Sequence, residues 1–212
     1  RMIELVKNDQ FIVLDFFAGS GSTGHAVFEI GSSLKQFICV QMPERINEDE
    51  DAYQLGFTTV SDLCKARLRN AARESEVIRG FKVFKIEKSN FKQWQDYKGK
   101  DPKELTSLFK EHEIPLIDGW KPENLLIEVM LQEGFPLDSE IAELKEHKKN
   151  AVMQVRSEFC EHKLLVCFDK KIYQETINAL NIQGEDIFVC LDSALSDEQK
   201  ITLSDKGFLK TI

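Results

Sequence analysis

Apolar residues follow two rhythms along this chain. Short unbroken runs alternate with stretches in which apolar positions recur every three or four residues, as buried strands alternating with amphipathic helices do. The first run, residues 11–15 (FIVLD), ends on an acid and passes into a glycine-rich turn; small helix-forming residues then continue to about Glu29 and stop at Gly31. Residues 36–41 (QFICVQ) form the second run. Both are apolar on either face, which predicts strands buried inside a parallel sheet. Strand, helix and strand within about thirty residues predict a crossover unit. Its glycine turn falls at the carboxyl edge of the sheet, where such folds bind ligands. Ser22 and Thr23 are the candidate caps of the first helix.

Further along, residues 43–59 read as a loop with an acidic run, and residues 60–75 as a helix with Val60, Cys64, Leu68 and Ala71 on one stripe. Residues 1–10 read as the closing turns of an amphipathic helix, which suggests that an N-terminal part of something larger is absent. A second region opens near residue 79 with a short strand carried by Phe81, Val83, Phe84 and Ile86. Pro102 and Pro122 each open a helix, the latter ending at Gly134. A charged helix is expected over 139–149, apolar strand segments at 152–159, 164–168 and 187–191, and helices at 173–180 and 197–203. The expectation is an α/β chain with domains 1–78 and 79–212.

Composition bounds the reading. At 212 residues with 42% hydrophobic, one or two cores fit. A net charge of −8 argues against gripping nucleic acid over the whole surface, but not against a local stripe. Between Lys65 and Lys92 basic residues outnumber acidic ones nine to three, and Lys65, Arg69 and Arg73 share one helix face. A solvated helix face and a phosphate-contacting edge both explain this. The five cysteines contain no CxxC pair and mostly sit in apolar runs, which predicts buried free thiols and a reducing cytoplasm. No apolar run is long enough for a membrane span and no signal peptide is evident, so no membrane partner is expected. His112, His147 and Cys160-x-His162 lack ligand spacing, so no metal is assigned; His25 reads as structural or rim-lying, and Trp94 and Trp120 as core or interface anchors.

The glycine turn carries the chemistry. A P-loop needs lysine and a hydroxyl residue after its second glycine, and here Gly24 precedes His25-Ala26. Gly19, Gly21 and Gly24 match a dinucleotide fingerprint, but the residue about twenty positions on is Gln41 rather than an acid. Asp15, at the strand end, would repel a pyrophosphate and suits a ligand with an ammonium group. S-adenosylmethionine has an ammonium, a sulfonium and no phosphate; backbone N–H groups of the turn can take its carboxylate, and Phe16 and Phe17 offer apolar surface. That cofactor is favoured, with a dinucleotide or a purely structural turn as the alternatives.

The segment DFFAGSGSTGHAV closely resembles the cofactor motif of DNA amino-methyltransferases of the β arrangement, in which the catalytic segment precedes the cofactor motif. Together with QFICVQMPERI, GFTTVSDLCKARLRNAARE, GFKVFKIEKSNFKQW and, more weakly, PENLLIEVMLQEGFPL and FVCLDSALSDEQK, it resembles the modification (Mod) subunit of type III restriction-modification systems. The resemblance implies a Rossmann-like methyltransferase half followed by a smaller α/β region. It puts Asp15, Phe16, Ala18, Gly19, Ser20, Gly21 and Thr23 around the methionine part of the cofactor, with Phe17 and Ser22 completing the candidate lining. Gln41 would face the ribose, and Met42 or Pro43 the adenine.

Such enzymes also need an Asp/Asn-Pro-Pro-Tyr/Phe motif that holds a flipped base. The five prolines, at 43, 102, 115, 122 and 136, are never adjacent. The resemblance therefore implies the C-terminal part of an adenine-N6 methyltransferase with no catalytic residue of its own. Its implied partners are DNA, the missing N-terminal and target-recognition segment, a second Mod subunit and the restriction (Res) subunit. The rival reading is a non-catalytic assembly module docking those subunits. The prediction is that this chain alone leaves transfer of labelled methyl groups from S-adenosylmethionine to duplex DNA at background; activity above background contradicts it.

Overall fold

The computed structural model describes residues 3, 10–31, 35–75, 80–93, 99, 101–111 and 114–212, so the helix expected over residues 1–10 falls almost wholly outside them, as do Trp94 and His112. The chain divides into two units, Arg1–Phe84 and Lys85–Ile212. Both are α/β in make-up.

In the first unit, β1 (Phe11–Asp15) and β2 (Lys35–Cys39) pair in parallel, Phe11 opposite Lys35 and Asp15 opposite Cys39, with α1 (Ser22–Ile30) between them in sequence. The short α2 (Asp51–Gln54) leads to α3 (Val60–Glu74). Thr59 caps α3 by accepting the Asp62 N–H at 3.2 Å while its hydroxyl donates to the Asp62 carboxylate at 2.6 Å. The expected stripe of α3 is its buried face: Cys64, Leu68 and Ala71 join Ala18 and Phe28 in one core, with Phe37 and Cys39 packed against it. Phe28 meets Phe37 edge to face, ring centres 5.3 Å apart.

The strands are not buried on both faces as their composition led us to expect. Ile12 and Leu14 are 60% and 59% exposed, and Ile38 and Val40 are 52% and 42% exposed. Alternate residues of a strand point to opposite faces, so α1 and α3 cover one face and these four side chains lie on the other. Nor does Ser22 or Thr23 cap α1, because the helix starts from Gly21 with no side-chain cap.

The second unit has its own sheet, in the order β3 (Glu140–Glu143), β4 (Met153–Arg156), β5 (Leu164–Cys167), β6 (Ile187–Cys190), β7 (Phe208–Thr211). The β3–β4 and β4–β5 pairs are antiparallel, and β5–β6 and β6–β7 parallel. Helix α4 (Pro102–Glu111) precedes α5 (Pro122–Gln132), and α6 (Gln174–Ala179) and α7 (Asp197–Ser204) lie between later strands. On one sheet face Leu164, Val166, Ile187 and Val189 pack with Leu125, Val129 and Met130 of α5. On the other, Leu165, Cys167, Phe188 and Cys190 pack with Ile177 of α6 and Leu203 of α7. Trp120 is a core anchor here, edge-on to Phe168 at 6.0 Å. The five cysteines are free thiols; burial pushes those of Cys167 and Cys190 up to about 11 and about 12.

Two expectations beyond residue 78 fail, and one strand of the second unit went unforeseen. The charged helix over 139–149 is instead β3 followed by turns. Ile141 and Leu144 sit three apart, a helical spacing, but backbone pairing with β4 overrides it, and the glutamates belong to an exposed edge strand. The strand at Phe81–Ile86 is irregular backbone, with Val83, Phe84 and Ile86 exposed. Strand β7, too short and polar to read from its pattern, is fixed by parallel pairing with β6.

Two carboxylates fasten loops to this unit. Glu128 of α5 accepts hydrogen bonds from the Ser89 hydroxyl and from the Asn90 N–H and side-chain amide, both at 2.7 Å. Asp186 accepts the N–H groups of Lys163 and Gln183 at 3.1 and 3.0 Å, with the Lys163 ammonium at 3.3 Å. Burial opposes the charge of both groups, yet the donors outweigh it and hold each carboxyl below its ordinary range. A depressed folded pKa contributes stability that is complete above the unfolded value, about 4, and is lost as pH falls through the folded value. Thermal melts between neutral pH and about pH 3 should show this acid loss. Asp186→Asn should be less stable at neutral pH and lose less on acidification; an acid loss equal to that of the parent chain contradicts the assignment.

Candidate functional site

The turn between β1 and α1 is built from backbone bonds upward. The Val40 N–H donates to the Asp15 carbonyl at 2.8 Å and the Ala18 N–H to the Val40 carbonyl at 3.1 Å, extending the ladder beyond the strand ends. The Gly21 N–H then donates to the Ala18 carbonyl at 2.8 Å, reversing the chain into α1. Gly19 and Gly21 have φ of +52° and +84°, a left-handed backbone that residues with a Cβ rarely adopt.

Packing fixes the turn from below. A Cβ on Gly21 would lie 2.8 Å from the Cys64 sulfur, and one on Gly24 would lie 2.6 Å from Leu68 Cδ2 and 3.0 Å from Phe37 Cε2. Helix α3 therefore runs directly beneath the loop, and these two glycines are what its closeness requires. Burial pushes the Cys39 thiol up to about 11, with Cys64 and Asp15 adding to it, and raises the Cys64 thiol too. Both sulfurs stay protonated and serve as packing.

Two side chains tie the loop from above. Asp15 accepts the Phe17 N–H at 3.2 Å on one oxygen and the Thr23 hydroxyl at 2.5 Å on the other. The Gln41 side chain reaches across from the end of β2, its carbonyl accepting the Gly19 N–H at 2.7 Å and its amide donating to the Met42 carbonyl at 3.1 Å. Asp15 with Thr23 and Gln41 with Gly19 are thus two hydrogen-bonded pairs fastening one turn, although they span 27 residues of sequence, from 15 to 41.

The other candidates differ in position. Phe16 and Phe17 are 61% and 80% exposed with ring centres 5.1 Å apart, an apolar wall beside the turn. Met42 and Pro43 are exposed and Ser20 is half-buried. Ala18 is buried in the core and its N–H is already used, so it shapes the turn rather than lining its mouth. Ser22 and Thr23 are the first residues of α1, where backbone N–H groups have no partner within the helix and Gly21 offers no side-chain cap. On α3, Arg69 and Arg73 are exposed, whereas Lys65 pairs with Asp62 at 2.8 Å. His25 faces Glu29 at 3.6 Å, one turn along α1. Among the described residues no three His, Cys, Asp or Glu side chains are placed to hold a metal ion.

The site can therefore offer an acceptor carboxylate, helix-start N–H donors, an aromatic wall and an amide. That set fits a zwitterionic, partly apolar ligand. Sequence reasoning missed the Gln41–Gly19 bond and the pressure of Cys64 and Leu68, since side-chain contacts between distant segments leave no local spacing signal.

No protein-family model matches the chain. It is 39% identical over 108 residues to the Mod subunit of the type III restriction-modification enzyme EcoP15I of Escherichia coli, covering 50% of this chain and 16% of that protein. The Mod subunit of EcoPI from Escherichia phage P1 is 36% identical over 77 residues, 35% of this chain and 12% of that protein. The type II methyltransferase M.KpnI of Klebsiella pneumoniae is 33% identical over 89 residues, 41% of this chain and 21% of that protein. The chain is a homologue of type III Mod subunits over about half its length, and spans about a sixth or less of the length of the two Mod subunits above.

If the close approach of α3 sets the turn, Gly24→Ala should destabilise the first unit by about 1–3 kcal/mol, the usual cost of overpacking. Urea melts followed by a signal from that unit test this. Stability unchanged from the parent chain contradicts it.

Proposed function

We propose that this chain is the cofactor-binding, C-terminal portion of a type III restriction-modification DNA adenine-N6 methyltransferase, and that its glycine turn takes S-adenosylmethionine. The observation that carries the reading is Asp15, whose carboxylate heads the turn and is held there by the Thr23 hydroxyl at 2.5 Å. An acid so close to the helix start disfavours a pyrophosphate and favours a ligand amine. The helix-start N–H groups of Ser22 and Thr23 then suit a ligand carboxylate.

In this reading Gly19, Ser20 and Gly21 let the ligand approach the backbone, and Phe16 and Phe17 shield its apolar part. Gln41 both clips the turn through Gly19 and presents its amide toward a ribose, with Met42 and Pro43 toward the adenine. When bound, the cofactor supplies the methyl group that the exocyclic amine of adenine in DNA receives. This chain contributes orientation and proximity, and no acid–base residue.

The exposed face of Ile12, Leu14, Ile38 and Val40 supports a Rossmann-like arrangement completed by a further part of the subunit, which would also carry target recognition. Arg69 and Arg73, with Lys65, are the candidate DNA-phosphate contacts on α3. The homology supports, as part of this reading, assembly with DNA, a second Mod subunit and a Res subunit, and action in the cytoplasm; among the described residues no helix is long and apolar enough to cross a membrane.

Calorimetry tests the reading. S-adenosylmethionine should bind the chain, and Asp15→Ala should weaken binding about ten- to a hundredfold, as loss of a hydrogen bond to a charged group does. NADH, followed by its fluorescence, should not bind. Absence of cofactor binding by the unmutated chain favours an assembly module, and NADH binding favours a dinucleotide domain.

A further inference from the structure

The second unit carries a group of charges that the cofactor site does not use. Residues 145–151, between β3 and β4, and residues 168–173, between β5 and α6, are drawn together by Asn150, which is 6% exposed. Its amide nitrogen donates to the Asp169 carboxylate and to the Lys171 carbonyl, both at 2.8 Å. Its amide oxygen accepts the Tyr173 N–H at 3.1 Å and the Thr176 hydroxyl at 2.8 Å. Every hydrogen-bonding position of that side chain is filled. The Asp169 carboxylate also accepts the Ala151 N–H at 3.0 Å, so it is taken up in holding the loops.

Five exposed lysines stand on the clamped loops: Lys145, Lys148, Lys149, Lys170 and Lys171. The ammonium groups of Lys149 and Lys171 each lie 5.4 Å from the centre of the Tyr173 ring, within cation–π range. Lys149 also pairs with Glu175 at 2.6 Å. Among the described residues Lys145, Lys148, Lys170 and Lys171 have no carboxylate within ion-pair distance. The acids of this region are Glu146, Asp169 and Glu175, fewer than the lysines, in a chain whose net charge is −8.

Gathering like charges around one ring costs repulsion, which an anion between them would relieve. Lysines are compact point charges with rotatable donors, suited to phosphate contact without reading of bases. Tyr173 is the one large exposed apolar side chain on these loops, which leaves little to insert into a lipid surface. We propose that the lysines of these two joined loops, with Lys149 and Lys171 at Tyr173, form a contact surface for the phosphate backbone of a nucleic acid, carried by the second unit. It does not depend on which ligand the glycine turn takes.

The test is fluorescence anisotropy of a labelled DNA duplex with the full chain, without cofactor, from about 50 to 200 mM salt. The combined variant Lys148→Gln, Lys149→Gln and Lys171→Gln should bind at least about tenfold more weakly and with a salt slope shallower by about two to three. A control removing the same charge elsewhere, Lys103→Gln with Lys121→Gln and Lys210→Gln, should bind within about threefold of the parent chain. Thermal melts verify that both variants are folded. A third variant, Lys65→Gln with Arg69→Gln and Arg73→Gln, reads the α3 candidates separately. Equal binding by cluster and control variants, no binding by the parent chain at low salt, or binding to phosphatidylserine vesicles but not DNA each overturns the proposal.

Discussion

The first unit depends on how closely α3 approaches the turn after β1. Cys64 and Leu68 come near enough to Gly21 and Gly24 that a single methyl group at either glycine would collide. With no room beneath it, the turn stays tight and α1 starts where it does, with the Thr23 hydroxyl of its first turn on the Asp15 carboxylate. The Thr23 hydroxyl and the Gln41 amide then hold in place what the packing has already shaped. Hydrogen bonds across the turn are secondary in this order: they connect groups that the core brings within reach.

Much of this unit is legible in the sequence because it rests on local pattern. Residues 11–15 and 36–41 read as strands, and the three glycines marked the turn. Parallel pairing and a helix between the strands follow as expected. What could not be read is whether the strands have neighbours on both faces: FIVLD looks the same with either face covered, and Ile12 and Leu14 turn out exposed. At the site, Asp15 and the glycines were legible as motif residues, whereas the clip from Gln41 to Gly19 is a tertiary contact with no signature of its own. The similarity to Mod subunits agrees with the resemblance carried by the motif, while the roles of individual residues rest on chemistry.

The second unit shows the opposite balance. Its central strands, LLVC and IFVC, are fully buried and were plain from composition. Its edges were not, because an edge strand is defined by its single neighbour: EIAE reads as helix until β4 pairs with it, and FLKT reads as nothing until β6 does. Buried polar groups such as Asn150 and Asp186 organise its loops, and they are as invisible to pattern as Gln41 is. The gathering of five lysines on two joined loops, with Lys149 and Lys171 at the Tyr173 ring, is a product of that loop clamping rather than of any run of basic residues.

The central claim is that the glycine turn is a site for S-adenosylmethionine. An NMR titration of the isotopically labelled chain with S-adenosylhomocysteine, its stable product, addresses this directly and detects weak binding. Amide shifts are expected only at residues 15–23, 41 and 42, saturating with ligand and absent in Asp15→Ala. No shifts at those amides, or the same shifts produced by NADH, would contradict it.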